Sequence, residues 1–296
     1  MRTTEHAYAK VNLYLQVDAK RADGFHELQT VMHTVGLCDD LIITMSESPE
    51  NDVVFHSNFA YLPNDSRNLA VRAAELFKQR VGISKRIRID MKKRIPVSAG
   101  LAGGSSDAAA VLRACNRLLG YPLDADALGE LGAQIGSDVV FCLHGGTALC
   151  RGRGEIVEPI PLERRLPFVV ATAEKEHIST PTAFSLLDRV YADFDGSHLP
   201  RRDASLEGLV AALRTHDLPM LARNMHNDFE SVILESCPGA AKLRLRMLEL
   251  GALSSMMSGS GPSVFGIFDS YASALRAASG IGKGAFCVIS VPSFEI

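Results

Sequence analysis

The stretch PVSAGLAGGSSDAAAVLRACNRLLG, residues 96–120, has almost only small side chains over its first eleven positions, and a helix pattern follows directly. Small residues let backbone N–H groups converge on an anion, and a helix start adds unpaired donors and a partial positive charge. The helix is predicted because apolar residues recur at helical spacing from Val111 until Gly120 and Pro122 end the pattern. The stretch therefore predicts a phosphate cradle at the start of a helix.

An ordinary capped turn explains the same composition and stays open as an alternative. In that interpretation Ser105 or Ser106 caps the helix, and Asp107 lies in its first turn, where a carboxylate favours the helix dipole. Asp107 would repel a phosphate unless it faces away or holds a cation. Neither the P-loop motif nor the dinucleotide motif GxGxxG is present. A second loop of small residues, MSGSGPS at residues 257–263, favours closure of both loops on one ligand.

Composition restricts the class of protein. With 296 residues, 47% of them hydrophobic, the chain is long enough for two domains with substantial cores. Charged residues make up 22% and the net charge is -3, so neither a nucleic-acid surface nor a membrane patch is expected. The chain shows no signal peptide and no apolar run of membrane-spanning length, which predicts a cytoplasmic location. Small-molecule partners are expected, with the protein a monomer or a homodimer. The six cysteines form no CxxC pair, so no disulfide framework or protein-bound metal is expected.

Alternating hydrophobicity organises the first half of the chain. Residues 7–17, AYAKVNLYLQV, alternate strictly between apolar and polar side chains and predict a half-buried strand with Lys10 and Asn12 on its polar face. A helix is predicted over residues 66–81, and it ends at Gly82. Further strands are predicted at LIITM, DVVFH and RIRIDM. This half is therefore an α+β unit.

The second half is predicted to be a smaller α+β layer. Three prolines in EPIPLERRLP predict a boundary that divides the chain into residues 1–158 and 159–296, although a connection within one domain would look similar. The polar residues Asn227, Asp228 and Glu230 are interpreted as a solvated or capping face of a helix. The predicted strands are FVVATA, SVFGIF and AFCVISV, and the predicted helices span residues 182–191, 205–213, 220–234 and 240–250.

Three motifs, in this order, resemble the GHMP small-molecule kinases: AKVNLYLQV with RADGFHELQTV, then PVSAGLAGGSSDAAAVL, then SGSGPSVFGIF. The resemblance implies two α+β domains, an N-terminal ribosomal-S5-like nucleotide-binding and catalytic domain and a C-terminal ferredoxin-like α/β layer on the substrate side. It also implies an ATP-dependent phosphotransferase that uses Mg2+. RADGFH and the segment IGSD narrow it to the branch whose acceptor is the 2-hydroxyl of a cytidine-diphosphate-linked methylerythritol, in the non-mevalonate synthesis of isoprenoid precursors.

Lys10 and Asp138 match the catalytic pair of that family. Phosphoryl transfer needs an aligned hydroxyl and neutralised charge, which a proton-accepting carboxylate and a nearby ammonium supply. Without the resemblance, Lys10 is a solvated residue on a polar strand face and Asp138 a cap of the segment VVFCL. The resemblance assigns the ATP phosphates to Pro96, Val97, Ser98, Ala99, Gly100, Leu101, Ala102, Gly103, Gly104, Ser105 and Ser106.

Four residues match the acceptor side of the family. Asn12 shares the strand face of Lys10 and is expected to position the acceptor hydroxyl. Phe25 and His26 match the positions that stack on cytosine and contact its edge, although the common form of the motif has tyrosine in place of Phe25. Phe184 is expected to be the second stacking ring, with a core phenylalanine as the alternative. No side chain is assigned to the metal, because Mg2+ is expected to arrive on ATP.

Three rival functions stay open at this point. Another GHMP kinase, acting on homoserine or mevalonate, would share the glycine-rich loops, but RADGFH argues against it because those acceptors contain no cytosine. A catalytically silent nucleotide-binding protein would have no need of the Lys10 and Asp138 pair. A structural α+β protein with glycine-rich turns does not explain three motifs in the family's order.

Overall fold

Two β-sheets and ten helices make up the described part of the chain, residues 1–173, 176, 178–193 and 204–294 of a computed structural model. The strands are β1 (Arg2–Lys20), β2 (His26–Ser46), β3 (Val53–Ser57), β4 (Arg86–Lys92), β5 (Thr147–Gly152), β6 (Ile156–Pro159), β7 (Pro167–Thr172), β8 (His226–Asn227), β9 (Ser254–Met257), β10 (Ser263–Ile267) and β11 (Ala285–Ile289). The helices are α1 (Leu69–Val81), α2 (Gly103–Leu118), α3 (Ala125–Ile135), α4 (Ser137–His144), α5 (Thr180–Asp193), α6 (Leu206–Thr215), α7 (Leu218–Asn224), α8 (Glu230–Ile233), α9 (Pro238–Glu249) and α10 (Tyr271–Ile281). This mixture confirms the α+β fold class.

The first sheet is built on the long antiparallel pair β1 and β2. Its strand order is β3–β4–β2–β1–β8, with β5 paired to β2 and β6 paired to β5. The other edge of β2 is divided, because residues 28–33 pair with β5 and residues 40–46 pair with β4. The predicted strand LIITM is therefore the second part of β2, whose first part follows the RADGFH turn.

The second sheet has the order β11–β7–β10–β9 and is antiparallel throughout. In terms of its own chain order this is 4–1–3–2, with helices between its first and second strands and between its third and fourth. A βαββαβ path with this order is the ferredoxin-like arrangement. The predicted ferredoxin-like layer is therefore confirmed.

Three apolar clusters hold these layers together. The first lies between the first sheet and helices α1 to α4, and the third lies between the second sheet and helices that include α5, α9 and α10. The second cluster joins the two sheets, since Val11 and Leu13 of β1 pack with Phe168 and Phe265 of the second sheet. None of the described helices is long and apolar enough to cross a lipid bilayer.

The prediction that residues 7–17 form a half-buried strand is wrong in one respect. The segment is a strand, but its polar face is buried as well as its apolar face: Lys10 is 4% exposed, Asn12 2% and Tyr14 5%. The two glycine-rich loops lie against this part of β1, since the amide of Lys10 donates to the carbonyl of Leu101 and a Cβ on Gly259 would lie 3.5 Å from Asn12 Oδ1, which the alternation of one strand could not show. Lys10 is therefore not an ordinary solvated lysine.

The helix predicted over residues 220–234 is also wrong. Helix α7 ends at Asn224, and His226 and Asn227 then form β8, which pairs in parallel with Tyr14 and Leu15 of β1. Asn227 is fully buried and its amide donates to the carbonyls of Met257 and Gly259. The supposed solvated face is thus an internal connection between the first sheet and the loop that follows β9.

Most other helix predictions hold with shifted ends. The predicted helix 66–81 begins at Leu69, because Asn68 is its N-cap and accepts a hydrogen bond from the amide of Ala70. Helices α5, α6 and α9 match the predictions near residues 182, 205 and 240. Helices α3, α4 and α10 and strands β5, β6 and β9 were not predicted, and α4 carries Asp138 in its first turn.

His33 is a buried neutral link between distant segments. Its Nδ1 atom lies 2.7 Å from Thr147 Oγ1, and its Nε2 atom lies 3.0 Å from Ser290 Oγ. The ring also packs against Phe168 at a centroid distance of 5.1 Å. Burial lowers the pKa of His33 from its ordinary value of 6.5 to about 3, because a charged ring would lose its hydration.

This burial predicts that acid weakens the fold well above the pKa range of most carboxylates. The unfolded chain takes up a proton at His33 near pH 6.5 and the folded chain does not, so the free energy of unfolding falls as the pH drops below 6.5 towards 3. We expect a slope of up to about 1.4 kcal/mol per pH unit from this residue. Urea unfolding between pH 7 and 5 should therefore show a shallower slope for His33→Gln than for the unmodified protein.

The exposed histidine His56 provides the matched control, because its ring is 56% exposed. His56→Gln should keep the slope of the unmodified protein. An unchanged slope in His33→Gln would contradict the assignment of the acid sensitivity to His33.

Candidate active site

One cavity of about 610 Å³ collects most of the residues that the sequence singled out. Lys10, Asn12 and Asp138 lie in its lining, and Phe184 lines it as well. Of the eleven predicted cradle residues, nine line the cavity: Pro96, Val97, Ser98, Ala99, Gly100, Ala102, Gly103, Gly104 and Ser105. Leu101 instead packs in the core between the sheets, and the buried Ser106 donates to the carbonyl of Gly103 within the helix.

The loop before α2 has an unusual backbone that leaves the helix start uncapped. Ser98 and Ala102 both have φ of 53°, in the left-handed region that residues with a side chain rarely adopt. Helix α2 begins at Gly103 with Ala102 as its N-cap, and no side chain accepts from its first amides. The capped-turn interpretation with Ser105 or Ser106 is therefore wrong, because both residues lie inside the first turn. Uncapped amides at a helix start are the donors that an anion needs.

The second glycine-rich loop locks onto the first at Gly100. A Cβ atom on Gly100 would lie 2.1 Å from the carbonyl oxygen of Ser258, and φ at Gly100 is +76°. Ser258 Oγ also donates to the carbonyl of Gly100 at 2.9 Å, and the amide of Ser263 donates to the carbonyl of Ala99 at 3.2 Å. The small residues are thus required because two backbones approach each other closely, and the two loops form one wall of the cavity.

Lys10 and Asp138 form an ion pair in the cavity, although they lie on different elements of the fold. Lys10 Nζ of β1 lies 3.6 Å from Asp138 Oδ2, on the first turn of α4. The same ammonium donates to Asn12 Oδ1 at 2.7 Å, and Asn12 in turn donates to Thr30 Oγ1 at 2.8 Å. Since the Lys10 side chain is 5% exposed and that of Asp138 is 34% exposed, the ammonium is fixed while the carboxylate remains open to the cavity.

A buried ionic group lies beneath the cradle. Lys93 Nζ is 2.5 Å from Asp39 Oδ2 and 2.6 Å from Asp107 Oδ2, and all three side chains are at most 5% exposed. Burial raises the pKa of Asp107, against the opposing effect of the Lys93 charge. Burial acts to lower the pKa of Lys93, but Asp107 and Asp39 outweigh it and raise that pKa. Among the described residues, Asp107 Oδ1 is one of two buried side-chain oxygen or nitrogen atoms without a hydrogen-bond partner.

The three residues expected to read the base are not all brought together. His26 stacks on Phe184 at a centroid distance of 4.7 Å and an interplanar angle of 15°, and Phe184 packs edge-on against Phe229. Phe25 is 53% exposed and lies beneath the guanidinium of Arg153, 4.9 Å from its ring centroid. Neither Phe25 nor His26 lines the cavity itself. The geometry thus joins His26 with Phe184 and leaves Phe25 outside this pair.

Several polar residues of the site had no signal in the sequence. Asp39 and Thr30 lie on β2 and Lys93 follows the end of β4; all three look like ordinary polar positions, and their partners are distant in the chain. Asp188 lies four residues after Phe184 on α5 and contacts His26 at 2.6 Å. Only this helical spacing could have suggested that Asp188 and Phe184 share a face.

Family models match both halves of the chain. The model described as the GHMP kinases N terminal domain matches residues 68–146, which include the cradle and Asp138. The model described as GHMP kinases C terminal matches residues 209–287, which include the second glycine-rich loop. A two-sheet α+β fold with a glycine-rich cradle and a lysine–aspartate pair is therefore that of a GHMP kinase, a class of ATP-dependent small-molecule kinases.

Individual relatives indicate one particular family within the GHMP kinases. The 4-diphosphocytidyl-2-C-methyl-D-erythritol kinase of Bacillus pumilus is 44% identical over 90% of this chain and 88% of its own. The crystal structure of a 4-(cytidine 5'-diphospho)-2C-methyl-D-erythritol kinase superposes with a TM-score of 0.79 at 32% identity, covering 97% of this chain and 99% of that one. Homoserine kinase from Cytophaga hutchinsonii has a TM-score of 0.72 at 20% identity, covering 98% and 95%, and shares the fold. The chain belongs to the 4-diphosphocytidyl-2-C-methyl-D-erythritol kinase family of the GHMP kinases.

The contact at Gly100 predicts that one added methyl group disrupts the cradle. Gly100→Ala should lower stability and raise the KM for ATP by about tenfold or more, because the new Cβ displaces the Ser258 loop. Gly82→Ala is the matched control, since Gly82 has φ of +73° with nothing within 4 Å of the added atom. Gly82→Ala should lower the free energy of unfolding by about 1–3 kcal/mol through backbone strain alone and leave the KM for ATP unchanged.

Urea unfolding and steady-state kinetics of the two variants measure this difference. Equal effects of Gly100→Ala and Gly82→Ala on the KM for ATP would show that the contact between the two loops does not shape the nucleotide site.

Proposed function

We propose that this chain transfers the γ-phosphoryl group of ATP to the 2-hydroxyl of 4-diphosphocytidyl-2-C-methyl-D-erythritol, in non-mevalonate isoprenoid precursor synthesis. The observation that carries the proposal is the common cavity, which brings Lys10 and Asp138 to the same space as the uncapped start of α2. The relatives at 40–44% identity, all named for this activity, support the choice of acceptor.

In this proposal the cradle binds the phosphates of ATP. The first amides of α2 and the residues from Val97 to Ser105 that line the cavity donate to phosphate oxygens and add the positive end of the helix dipole, while Pro96, which has no N–H, lines the loop without donating. Leu101 and Ser106 support the loop from behind rather than by direct contact. Ser260, on the second glycine-rich loop beside the cradle, also lines the cavity, and its hydroxyl lies 3.1 Å from that of Thr180.

The transfer step needs a proton acceptor and a fixed positive charge. The oxygen of the 2-hydroxyl attacks the γ-phosphorus as the bond to the bridging oxygen of ADP breaks, and the hydroxyl proton passes to the carboxylate of Asp138. Lys10, held at 2.7 Å by Asn12, offsets the negative charge that gathers on the transferring group. Asn12 orients Lys10 and is proposed to position the acceptor hydroxyl.

Mg2+ is proposed to arrive on ATP and to be held mainly by its phosphates. Hard divalent cations prefer oxygen ligands, and the cavity offers one suited to this need: the buried Oδ1 atom of Asp107, which has no hydrogen-bond partner among the described residues. Asp107 adjoins the first turn of α2, so its carboxylate is the protein group proposed to meet the metal. When bound, the ion would neutralise phosphate charge during transfer.

The cytidyl end of the acceptor is proposed to lie toward Phe184 and the RADGFH turn. Phe184 lines the cavity and stacks on His26, which supports a role for both in holding the base. Phe25 is proposed as the opposing stacking ring, supplied from the exposed turn where it lies under Arg153. Phenylalanine at this position keeps the stacking surface of the tyrosine it replaces but has no hydroxyl.

The wider setting of the enzyme stays a prediction. We propose a division into residues 1–158, which carry nucleotide binding and catalysis, and 159–296 on the substrate side. The second sheet begins at β7, after this boundary, while β8 returns to the first sheet and ties the halves together. We also propose small-molecule partners, a cytoplasmic location and a monomer or homodimer; the net charge of -3 supports the proposed absence of nucleic-acid and membrane partners.

The substrate assignment is tested by ADP release with Mg-ATP and each candidate acceptor. We expect turnover with 4-diphosphocytidyl-2-C-methyl-D-erythritol and none above background with mevalonate or homoserine. Activity restricted to either of those two alcohols would replace this function with that of the sister kinases. Binding of ATP without turnover of any acceptor would favour the catalytically silent alternative.

The roles of Lys10 and Asp138 predict folded but inactive variants. Asp138→Asn keeps the shape of the side chain and removes the proton acceptor, so kcat should fall about 10²–10⁴-fold. Lys10→Ala should lose most turnover as well, because it removes the positive charge that is proposed to offset the negative charge on the transferring group. Asp126→Asn, at an exposed aspartate on α3, should retain full activity.

Circular dichroism and urea unfolding establish that the variants are folded, and single-turnover kinetics isolate the transfer step. Near-normal transfer rates in Asp138→Asn would remove Asp138 from the proposed mechanism.

A further inference from the structure

Helix α5, in the second half of the chain, contacts both the face and the edge of the His26 ring. On α5, Phe184 and Asp188 are four residues apart and therefore lie on one face of the helix. Phe184 stacks on the imidazole at 4.7 Å, and Asp188 Oδ1 lies 2.6 Å from His26 Nε2. The other carboxylate oxygen, Oδ2, lies 3.3 Å from Lys20 Nζ, and Lys20 is the strand partner of His26 in β1 and β2. The orientation of His26 is thus fixed from the second half of the chain.

This contact determines which nitrogen of His26 carries hydrogen. An ionised carboxylate accepts hydrogen bonds and cannot donate them, so the contact with Asp188 requires a hydrogen on Nε2. In a neutral imidazole the other nitrogen, Nδ1, is then an acceptor.

We propose that Asp188 is a specificity-determining positioning residue, which fixes His26 as a hydrogen-bond acceptor and so selects cytosine over uracil in the acceptor. This inference rests on the proposed function, in which His26 contacts the edge of the base. Asp188 itself acts through His26 and is not placed against the reacting atoms.

The chemistry of the two bases explains the selection. Cytosine carries an amino donor at position 4, whereas uracil carries a carbonyl acceptor at the same place. An acceptor nitrogen on His26 accepts a hydrogen bond from the amino group of cytosine. Opposite the carbonyl of uracil, the same nitrogen has no donor to pair with. A site built to pair with one polar group discriminates strongly against a ligand that leaves the group unpaired.

The test compares the cytidyl acceptor with its uridine-diphosphate-linked counterpart. In Asp188→Asn the side chain can donate as well as accept, so the hydrogen on His26 is no longer fixed. We expect the ratio of kcat/KM for the cytidyl over the uridyl acceptor to fall about tenfold or more. The change should appear in KM, with kcat for the cytidyl acceptor nearly kept, because Asp188 is remote from the transfer step.

Lys20→Gln is the matched control, since it removes the partly exposed ion pair to Asp188 and leaves the contact with His26 in place. This variant should keep the base discrimination of the unmodified enzyme. Equal losses with both acceptors in Asp188→Asn, an unchanged ratio, or an unmodified enzyme that accepts both bases equally would overturn the proposal.

A spectroscopic measurement tests the hydrogen position without turnover. Two-bond ¹H–¹⁵N spectra of the histidine rings, with the His26 signals assigned by their loss in His26→Gln, report which nitrogen carries the hydrogen. We expect hydrogen on Nε2 in the unmodified protein and a mixture or the reverse in Asp188→Asn. Hydrogen on Nδ1 in the unmodified protein would overturn the proposal.

Failure of the underlying function has a different signature. If the unmodified enzyme does not turn over the cytidyl acceptor, or His26→Ala leaves its KM unchanged, then the proposed function or its base contact is wrong. If His26→Ala raises that KM while Asp188→Asn does not alter base preference, only the role of Asp188 is wrong.

Discussion

The buried ammonium of Lys93, held between the carboxylates of Asp39 and Asp107, is the constraint on which the nucleotide site depends. Asp39 also accepts hydrogen bonds from the backbone amides of Arg94 and Ile95, so one carboxylate fixes both the ammonium and the chain that enters the cradle. A Cβ on Gly103 would lie 3.1 Å from the ammonium, so the helix start rests directly on this group. Removal of one partner from such a group costs about 3–5 kcal/mol, since it leaves buried charge uncompensated.

The second half of the chain completes the site by a different kind of contact. Asn227 returns to the first sheet and fixes the carbonyls of Met257 and Gly259, so the second glycine-rich loop is held from β1 as well as from its own sheet. That loop then meets the cradle at Gly100. Two loops that are distant in the chain therefore form one wall because backbone contacts, rather than long side chains, join them. This is the physical reason for small residues in both.

The sequence predicted the local parts of this design and missed those that depend on distant contacts. The cradle and the helix after it follow from composition and periodicity within short segments, whereas the ferredoxin-like form of the second layer was implied only by the family resemblance. The burial of Lys10 and Asn12 did not, because the covering loops lie elsewhere in the chain. The helix expected over residues 220–234 failed since pairing with Tyr14 and Leu15 overrides a helical pattern. Asp188 and His26 are 162 positions apart, and no local pattern connects them.

The same separation divides the proposed roles between the two halves of the chain. Lys10 is positioned by Asn12 and Thr30, all on β1 and β2, and Asp138 lies on α4, so the residues proposed to act in the transfer belong to the first half. The ring of His26 is held by α5, a helix of the second half. If the proposed function is right, we expect substitutions on α5 to alter which base is held without disturbing Lys10, Asp138 or the Lys93 group.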